Sequence, residues 1–305
     1  METFKQITLE DMTLFNDIFK NIKPIASEFT FPYLYMWRRD YNFSYTIVEG
    51  YLCLISRSNV YPAYSFCPLP VDGINDEQRL KKAIRFVEEF FEENQLQLRY
   101  ARVSENCIDK LKWFYQDRNV IVEPLEHTYD YVYNASDLIN LAGKKYSKKR
   151  NHISQFMRLY GDYQYVPITE DNLGECKRIL DIWADKNEQD KAPENSERFA
   201  CYELFNNWSK FTSLKGALIK VNGNFEAFTI GELLNPETAL IHIEKANTDF
   251  HGLYTLINRD FCRNEWSNVK YINREEDLGI EGLRKSKLSY NPAFMVKKFL
   301  VKVLH

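Results

Sequence analysis

The sequence NREEDLGIEGLRKSKLSYNP occupies residues 273–292 and is the most informative stretch of the chain. Three consecutive acids (275–277) come before a short helical pattern, which places Arg284 and Lys287 three residues apart on one face. Pro292 ends this pattern before a last strand-like run. Opposite charges at this density are costly unless they face water, each other or a polar ligand. A ligand with a phosphate or carboxylate group would suit the basic half.

Composition and charge fit a globular protein whose second half binds an anion. The 305 residues suggest about two domains, and the 45% hydrophobic content excludes a disordered chain. The net charge of −3 is uneven, because residues 1–135 hold 15 basic and 20 acidic residues, whereas residues 136–305 hold 25 and 23. Residues 283–305 contain six Lys or Arg and no acid. We therefore expect an anionic partner on the C-terminal half.

The sequence gives no sign of a membrane span, a secretion signal or a metal site. It contains no run of about 18 apolar residues, and its start, METFKQ, lacks the layout of a signal peptide. The six cysteines form no Cys-x-x-Cys pair, and the five histidines show no metal-binding spacing. We therefore predict a cytoplasmic protein with no metal and no resident cofactor.

The two halves of the chain share one order of predicted elements, which suggests an internal duplication. The first half has predicted strands at 4–9, 43–49, 51–57, 61–67, 96–102, 119–124 and 128–133, and helices at 10–22, 31–38, 75–93 and 105–117. The second has strands at 163–168, 215–221, 224–233, 238–246, 269–274 and 294–303, and helices at 170–187, 196–212, 252–265 and 280–288. One helix from Asp137 to Tyr160 is predicted between them. Asn222-Gly223 predicts a hairpin turn.

This element order is that of the Gcn5-related N-acetyltransferase fold, and residues 276–292 make the resemblance specific. The motif Gly-Leu-Arg-x-x-Lys with a following Pro resembles the C-terminal domain of phosphatidylglycerol lysyltransferases and its stand-alone relatives. Three further stretches agree with that family: 31–37, 144–156 and 243–252. The resemblance covers nearly the whole chain. It implies an α+β fold of two tandem acetyltransferase-like domains, each a mixed, mostly antiparallel sheet flanked by helices.

The resemblance also implies a domain division and a choice of acyl donors. We expect an N-terminal domain at 1–135 and a C-terminal domain at 136–305 that carries the active site. Members of this family are related to enzymes that use aminoacyl-tRNA. Acetyl-CoA enzymes instead hold pyrophosphate on a glycine-rich loop at a helix N-terminus, and residues 245–254 contain one glycine at that place. This favours aminoacyl-tRNA over acyl-CoA as the co-substrate.

Four residues are candidates for catalysis. Glu244 ends a predicted central strand, where it would act as a base or bind the α-amine of the donor; a solvated carboxylate is the alternative. Arg284 and Lys287 would hold a phosphate, the 3′ end of a tRNA or a lipid head group, or else pair with the acids at 275–277. Asp277 is the fourth candidate, although it also suits the cap of the helix that follows.

Five residues are candidates for binding the donor. His251 and Gly252 lie at a predicted helix start, and Tyr290 belongs to the motif that carries the resemblance. Lys148 and Arg150 belong to a run of five basic residues in seven (144–150), which would grip an RNA backbone or form a solvated face.

These observations lead to three hypotheses. The first is an acyltransferase that moves an aminoacyl group, from aminoacyl-tRNA, to a lipid head group, a peptide or a small amine. The second is an acyl-CoA-dependent N-acetyltransferase of a small amine. The third is a binding module that keeps the fold without catalysis. The sequence leaves the acceptor and the oligomeric state open.

Overall fold

The computed structural model describes residues 3–187 and 197–304. Its strands are β1 (Lys5–Gln6), β2 (Phe43–Val48), β3 (Tyr51–Ser56), β4 (Tyr64–Ser65), β5 (Leu69–Pro70), β6 (Arg99–Val103), β7 (Asn119–Pro124), β8 (Asp130–Asn134), β9 (Tyr163–Pro167), β10 (Lys215–Val221), β11 (Asn224–Asn235), β12 (Thr238–Ala246), β13 (Tyr271–Asn273), β14 (Phe294–Val296) and β15 (Phe299–Leu304). Its α-helices are α1 (Met12–Ile22), α2 (Phe31–Trp37), α3 (Glu77–Glu93), α4 (Glu105–Phe114), α5 (Ala135–Asn140), α6 (Ser147–Tyr160), α7 (Leu173–Asn187), α8 (Glu197–Phe205), α9 (Leu253–Glu265) and α10 (Glu281–Leu288).

The strands form two mixed sheets, and the chain divides into two compact units. The first unit takes in the chain up to Asp130, Glu276–Gly279 and the segment from Val296 onward; the second takes in Tyr131–Glu275 and Ile280–Met295. Each sheet is mostly antiparallel with one parallel pair and is flanked by helices. The predicted fold class, α+β with tandem acetyltransferase-like sheets, is thereby confirmed.

The first unit contains a sheet in the order β1-β2-β3-β4-β6-β15-β7, with β5 beside β3. The amphipathic helix α3 places Ile84, Val87 and Phe91 on one buried face. These side chains share a hydrophobic cluster with strand residues such as Cys53 and Val301. Burial of a side chain of this size contributes about 1.5–3 kcal/mol, so this face is enough to hold α3 against the sheet.

Five charged side chains are buried together in the first unit. The Lys298 ammonium lies 2.7 Å from carboxylate oxygens of both Glu28 and Asp130. The Arg102 guanidinium lies 3.3 Å from Glu28 and 3.1 Å from Glu276. Because each buried ion has a partner of opposite sign, the desolvation of the cluster is offset within the unit.

The second unit contains a sheet in the order β14-β8-β13-β12-β11-β10-β9. Helix α9 packs on it and buries Leu253, Leu256, Ile257 and Phe261 in the core. The predicted hairpin joins β10 to β11, where Asn222 (φ 51°) and Gly223 (φ 87°) both adopt the left-handed conformation. Such a turn matches the twist of the two strands and favours Asn-Gly.

The two sheets correspond strand by strand, with one exchange between the halves of the chain. In the first sheet, C-terminal β15 lies between β6 and β7. At the same position of the second sheet, β8 lies between β13 and β14. The run predicted as one strand at 294–303 is therefore two strands in different sheets, which corrects that expectation. The division into domains at 1–135 and 136–305 stays a prediction. The first compact unit also contains the segment from Val296 onward, and the second begins at Tyr131.

Three further predicted elements need correction. The helix predicted from Asp137 to Tyr160 is two helices, α5 and α6, because left-handed Leu141 (φ 48°) and Gly143 (φ 81°) break it. The helix predicted at 196–212 ends at Phe205; its first residue lies outside the described part of the chain. The strand predicted at 61–67 pairs only at Tyr64–Ser65.

None of the helices within residues 3–187 and 197–304 has both the length and the apolar composition needed to cross a lipid bilayer.

Candidate active site

Two neighbouring strands of the second unit, β12 and β13, are paired over only part of their length. The parallel pairing of β12 with β13 covers only Thr238–Leu240 on one strand and Tyr271–Asn273 on the other. Strand β12 continues to Ala246, so its C-terminal part lies beyond this pairing. Side chains from this part of β12, and from the segment after β13, can therefore meet a ligand where the strands part.

Glu244 lies in this part of β12 and is held by two other polar side chains. Its Oε1 accepts a hydrogen bond of 3.0 Å from Arg274 Nη2, and its Oε2 accepts one of 3.1 Å from Asn258 Nδ2. Arg274 directly follows β13, and Asn258 lies on α9. The Glu244 side chain is 9% exposed, so these two partners replace the water that would otherwise solvate its charge.

Each partner of Glu244 has a second polar atom that is buried and unused. Within the described part of the chain, Asn258 Oδ1 and Arg274 Nη1 have no hydrogen-bond partner. Asn258 is 1% exposed. A buried polar atom without a partner costs about 1–3 kcal/mol, and such exceptions are concentrated at functional sites. The Asn258 amide oxygen can accept a hydrogen bond and the Arg274 guanidinium can donate one. Together with the Glu244 carboxylate they can bind a ligand that has both a donor and an acceptor.

A lysine and a tyrosine lie beside these three side chains. The Lys149 ammonium donates a hydrogen bond of 2.7 Å to Ser289 Oγ and lies 3.6 Å from the centroid of the Tyr290 ring. The Arg274 guanidinium carbon lies 4.9 Å from the same centroid. Lys149, Glu244, Asn258, Arg274 and Tyr290 thus form one group, here called the Glu244 cluster.

The pKa of Lys149 is shifted within this group. Burial lowers it, the positive charges of Arg274 and Lys148 lower it further, and Glu244 raises it, which leaves a pKa of about 8. About a tenth of Lys149 is therefore uncharged at pH 7, and about half at pH 8. The neutral amine has a lone pair that can accept a proton.

His242, on the same strand, lies between two carboxylates. Its Nε2 is 2.9 Å from Glu232 Oε1 and its Nδ1 is 3.0 Å from Glu275 Oε1. Burial lowers its pKa, but the hydrogen bonds and charges of Glu232 and Glu275 raise it more, to about 9. The register of β12 against β11 also skips His242, so this residue forms a β-bulge. Bulges re-aim side chains and occur often beside active sites.

Lys287, a predicted catalytic residue, is bonded to the segment that follows β13. It is buried, and its ammonium donates hydrogen bonds to the backbone carbonyls of Arg274 and Glu275. Arg284, three residues earlier on α10, is half-buried. The structure therefore connects Lys287 to the segment that carries Arg274, a connection that the charge pattern of 273–292 did not indicate.

Asp277 belongs to the first unit, whereas the other candidates for catalysis belong to the second. Its side chain is fully buried, and its Oδ1 accepts a hydrogen bond of 2.8 Å from the Gly279 backbone. Helix α10 begins later, at Glu281, so Asp277 stabilises the turn before the helix rather than the helix itself.

Gly252 has a packing role at the start of α9. Its φ of 90° lies in the left-handed region, and a Cβ at this position would lie 2.3 Å from the backbone oxygen of His152. Only glycine allows α6 to approach this closely. His251 is exposed, and its ring lies 5.0 Å from that of His152 in an edge-on contact.

The two basic candidates for donor binding differ in their surroundings. Lys148 is exposed on α6. Arg150 is also exposed, but its Nη1 donates hydrogen bonds to the backbone oxygens of Leu141 and Gly143, at 2.5 and 2.7 Å. These bonds satisfy carbonyls at the end of α5, so Arg150 has a structural task whether or not it contacts a ligand.

Sequence reasoning placed Glu244 and Tyr290 in the site but missed Arg274, Asn258 and Lys149. A polar residue within the buried face of α9 was the available signal for Asn258. Lys149 was included only in the basic run 144–150. No local signal separated Arg274 from the acids that follow it.

The family model for the C-terminal region of phosphatidylglycerol lysyltransferase matches residues 19–302. The chain belongs to the phosphatidylglycerol lysyltransferase C-terminal family. An uncharacterized protein of Mycoplasmoides gallisepticum is 26% identical over 180 residues, which are 59% of this chain and 58% of that protein.

Solved structures share the fold of this chain. A conserved protein of unknown function from Bacteroides thetaiotaomicron is 33% identical, with a TM-score of 0.88 and complete coverage of both chains. The C-terminal domain of a putative lysylphosphatidylglycerol synthetase from Agrobacterium fabrum is 14% identical, with a TM-score of 0.69 over 97% of this chain and 92% of that one. The second likeness concerns the fold alone. Family and fold together relate this chain to aminoacyl transferases.

The described residues contain no group of three or more His, Cys, Asp or Glu side chains arranged to hold a metal ion. The side chains of the Glu244 cluster can supply hydrogen bonds, charge and proton transfer.

Proposed function

We propose that this protein transfers an aminoacyl group from aminoacyl-tRNA to an acceptor with an amine or hydroxyl group. Membership of the lysyltransferase family supports the reaction type. The acceptor classes under this proposal are a lipid head group, a peptide and a small amine, and the expected location is the cytoplasm. Acyl transfer requires an aligned donor, stabilisation of the developing oxyanion and removal of a proton from the acceptor.

The pair of unused polar atoms beside Glu244 carries the proposal. An aminoacyl group has an ammonium that donates hydrogen bonds and a carbonyl oxygen that accepts them. Asn258 Oδ1 and the Glu244 carboxylate would accept from the ammonium, and Arg274 Nη1 would donate to the carbonyl oxygen. In this arrangement both atoms gain partners and the carboxylate balances the ammonium charge.

An acetyl group would satisfy this site less well. It has a carbonyl oxygen for Arg274 but no ammonium, so Asn258 Oδ1 would remain buried without a donor. Sites built to bind a polar group reject analogues that lack it, because the polar atoms of the site are left unpaired. The single glycine in residues 245–254 also gives little support for binding the pyrophosphate of CoA.

The remaining candidates have supporting roles in this proposal. Lys287 would position Arg274 through the two backbone carbonyls that it binds. Arg284 and Lys148 would contact phosphates at the 3′ end of the tRNA. Tyr290 would hold Lys149 and Arg274 on one aromatic ring.

The test measures transfer of radiolabelled amino acids from charged tRNA to lipid, peptide and small-molecule extracts, with labelled acetyl-CoA in parallel. We expect transfer from charged tRNA, and a loss of about 100-fold in kcat/KM for Asn258→Ala. Asn264→Ala is the matched control, since Asn264 is an exposed asparagine on the same helix. Transfer from acetyl-CoA alone, or equal activity of the two variants, would refute the proposal.

A further inference from the structure

Lys149 is the one member of the Glu244 cluster without a role in binding the aminoacyl group. It lies on α6 between exposed Lys148 and exposed Arg150, yet it is itself buried. Burial of a lysine is costly, so a lysine that contributed only to solubility would be expected on the surface. Its position beside Tyr290 and Arg274 places it next to the bound donor of the proposed reaction.

Hydrogen bonding fixes the direction of the amine. Ser289 Oγ donates to the backbone oxygen of Ser286 at 2.5 Å, so its hydrogen is already engaged. The bond between Lys149 Nζ and Ser289 Oγ must therefore be donated by Lys149. One hydrogen of the amine points to Ser289, and one side of the nitrogen faces the Tyr290 ring. The remaining position on the nitrogen holds its lone pair when the amine is neutral.

The groups around Lys149 have opposite effects on the stability of its charged form. Arg274, after β13, and Lys148, on α6 itself, disfavour its charged form, as does burial. Glu244, on β12, favours the charged form, and the ring of Tyr290 does so as well. His152, one turn along α6, interacts electrostatically with Lys149. These groups leave Lys149 able to change its protonation state near the pH of the cell.

We propose that Lys149 is the proton acceptor of the transfer reaction. This inference rests on the proposed function. The neutral Lys149 amine takes the proton from the attacking amine or hydroxyl of the acceptor as that atom bonds to the acyl carbon. The ester bond between the acyl carbon and the tRNA ribose then breaks, and Lys149 returns the proton to the departing ribose oxygen. Lys149 ends the cycle neutral, so no further reactant is needed.

The first measurement requires no substrate. Competitive labelling of the intact protein with isotopic acetic anhydride between pH 6 and 11, read by mass spectrometry, gives the titration midpoint of each lysine. We expect Lys149 to titrate near pH 8, well below the ordinary lysine value of about 10.4. A Lys149 midpoint at that ordinary value would overturn the inference.

The second measurement uses the transfer reaction. Lys149→Arg keeps the positive charge but cannot release a proton near neutral pH, so we expect kcat to fall by about 100-fold or more with donor affinity unchanged. The rate of the unmodified protein should rise with pH through about 8, and Lys149→Arg should lose this rise. Lys210→Arg is the matched control and should keep both the rate and its pH profile.

The outcomes separate the two proposals. If transfer occurs and Lys149→Arg retains the rate with the same pH profile, Lys149 is not the proton acceptor although the proposed function stands. If no charged tRNA serves as donor while Lys149 still titrates near pH 8, the proposed function fails, and the reaction step fails with it.

Discussion

Replacement of His242 by asparagine should change how the stability of the second unit depends on pH. In the native protein the imidazole lies between Glu232 and Glu275, and its pKa is about 9 instead of the ordinary 6.5. A raised pKa means that the native state binds the proton more tightly than the unfolded state does. The resulting stabilisation is fully present below about pH 6.5 and is lost as the pH rises through about 9.

The size of this effect follows from the two pKa values. Each tenfold difference in proton affinity is worth about 1.4 kcal/mol, so the rise from 6.5 to about 9 corresponds to roughly 3 kcal/mol. Lys149 acts in the opposite direction, because its lowered pKa of about 8 relieves a charge penalty between pH 8 and 10.5. The difference between native protein and variant isolates His242, since both contain Lys149.

The assay is urea unfolding of the native protein and His242→Asn at intervals from pH 6 to 9.5. Hydrogen exchange of the β12 amides, read by mass spectrometry, assigns the transition to the second unit. The difference in free energy of unfolding between the two proteins should shrink by roughly 3 kcal/mol from pH 6.5 to 9. His127→Asn is the control, since His127 is exposed. A difference that stays constant over this range would show that His242 is neutral in the native state.

Three substitutions test other buried contacts by urea unfolding. Arg274→Met should cost about 3–5 kcal/mol, because it leaves a buried carboxylate without its cationic partner; a loss below 1 kcal/mol would contradict the pairing. Lys298→Met should also lower the free energy of unfolding by about 3–5 kcal/mol. Lys297→Met, at an exposed neighbour, should change it by no more than about 0.5 kcal/mol. Equal losses in the two variants would argue against the buried cluster. Gly252→Ala should lower the free energy of unfolding by about 1–3 kcal/mol more than Gly143→Ala does. Both glycines have positive φ, but only at Gly252 would the added Cβ clash with backbone. Equal losses in the two variants would show that the clash is not the cause.

Local sequence patterns predicted those elements whose determinants lie within a few residues. The Asn222-Gly223 turn fixed the β10–β11 hairpin because both residues tolerate positive φ. The strand predicted at 238–246 matched β12 in both bounds. The exchange of β15 and β8 between the sheets was not predictable in this way, because the choice of partner strand depends on pairing far along the chain.

For the candidate site too, the sequence predicted only those residues whose signal is local. Glu244 was a candidate because it lies near the end of a predicted strand, which is a local property. Its partners Arg274 and Asn258 come from different elements and meet it only through tertiary packing. Lys149 carries the same charge as the neighbours it was grouped with, and only the orientation of α6 makes it buried while Lys148 is exposed.

The position of β15 has a consequence for how the protein is made. Strand β15 lies inside the first sheet, between β6 and β7, although along the chain it follows all the strands of the second sheet. The growing polypeptide on the ribosome therefore has an open slot between these strands until Phe299–Leu304 has been synthesised. Exposed strand edges invite pairing with other chains, so nascent chains that stall before Phe299 are the species most at risk of aggregation, and residues 1–135 expressed alone would carry the same defect permanently.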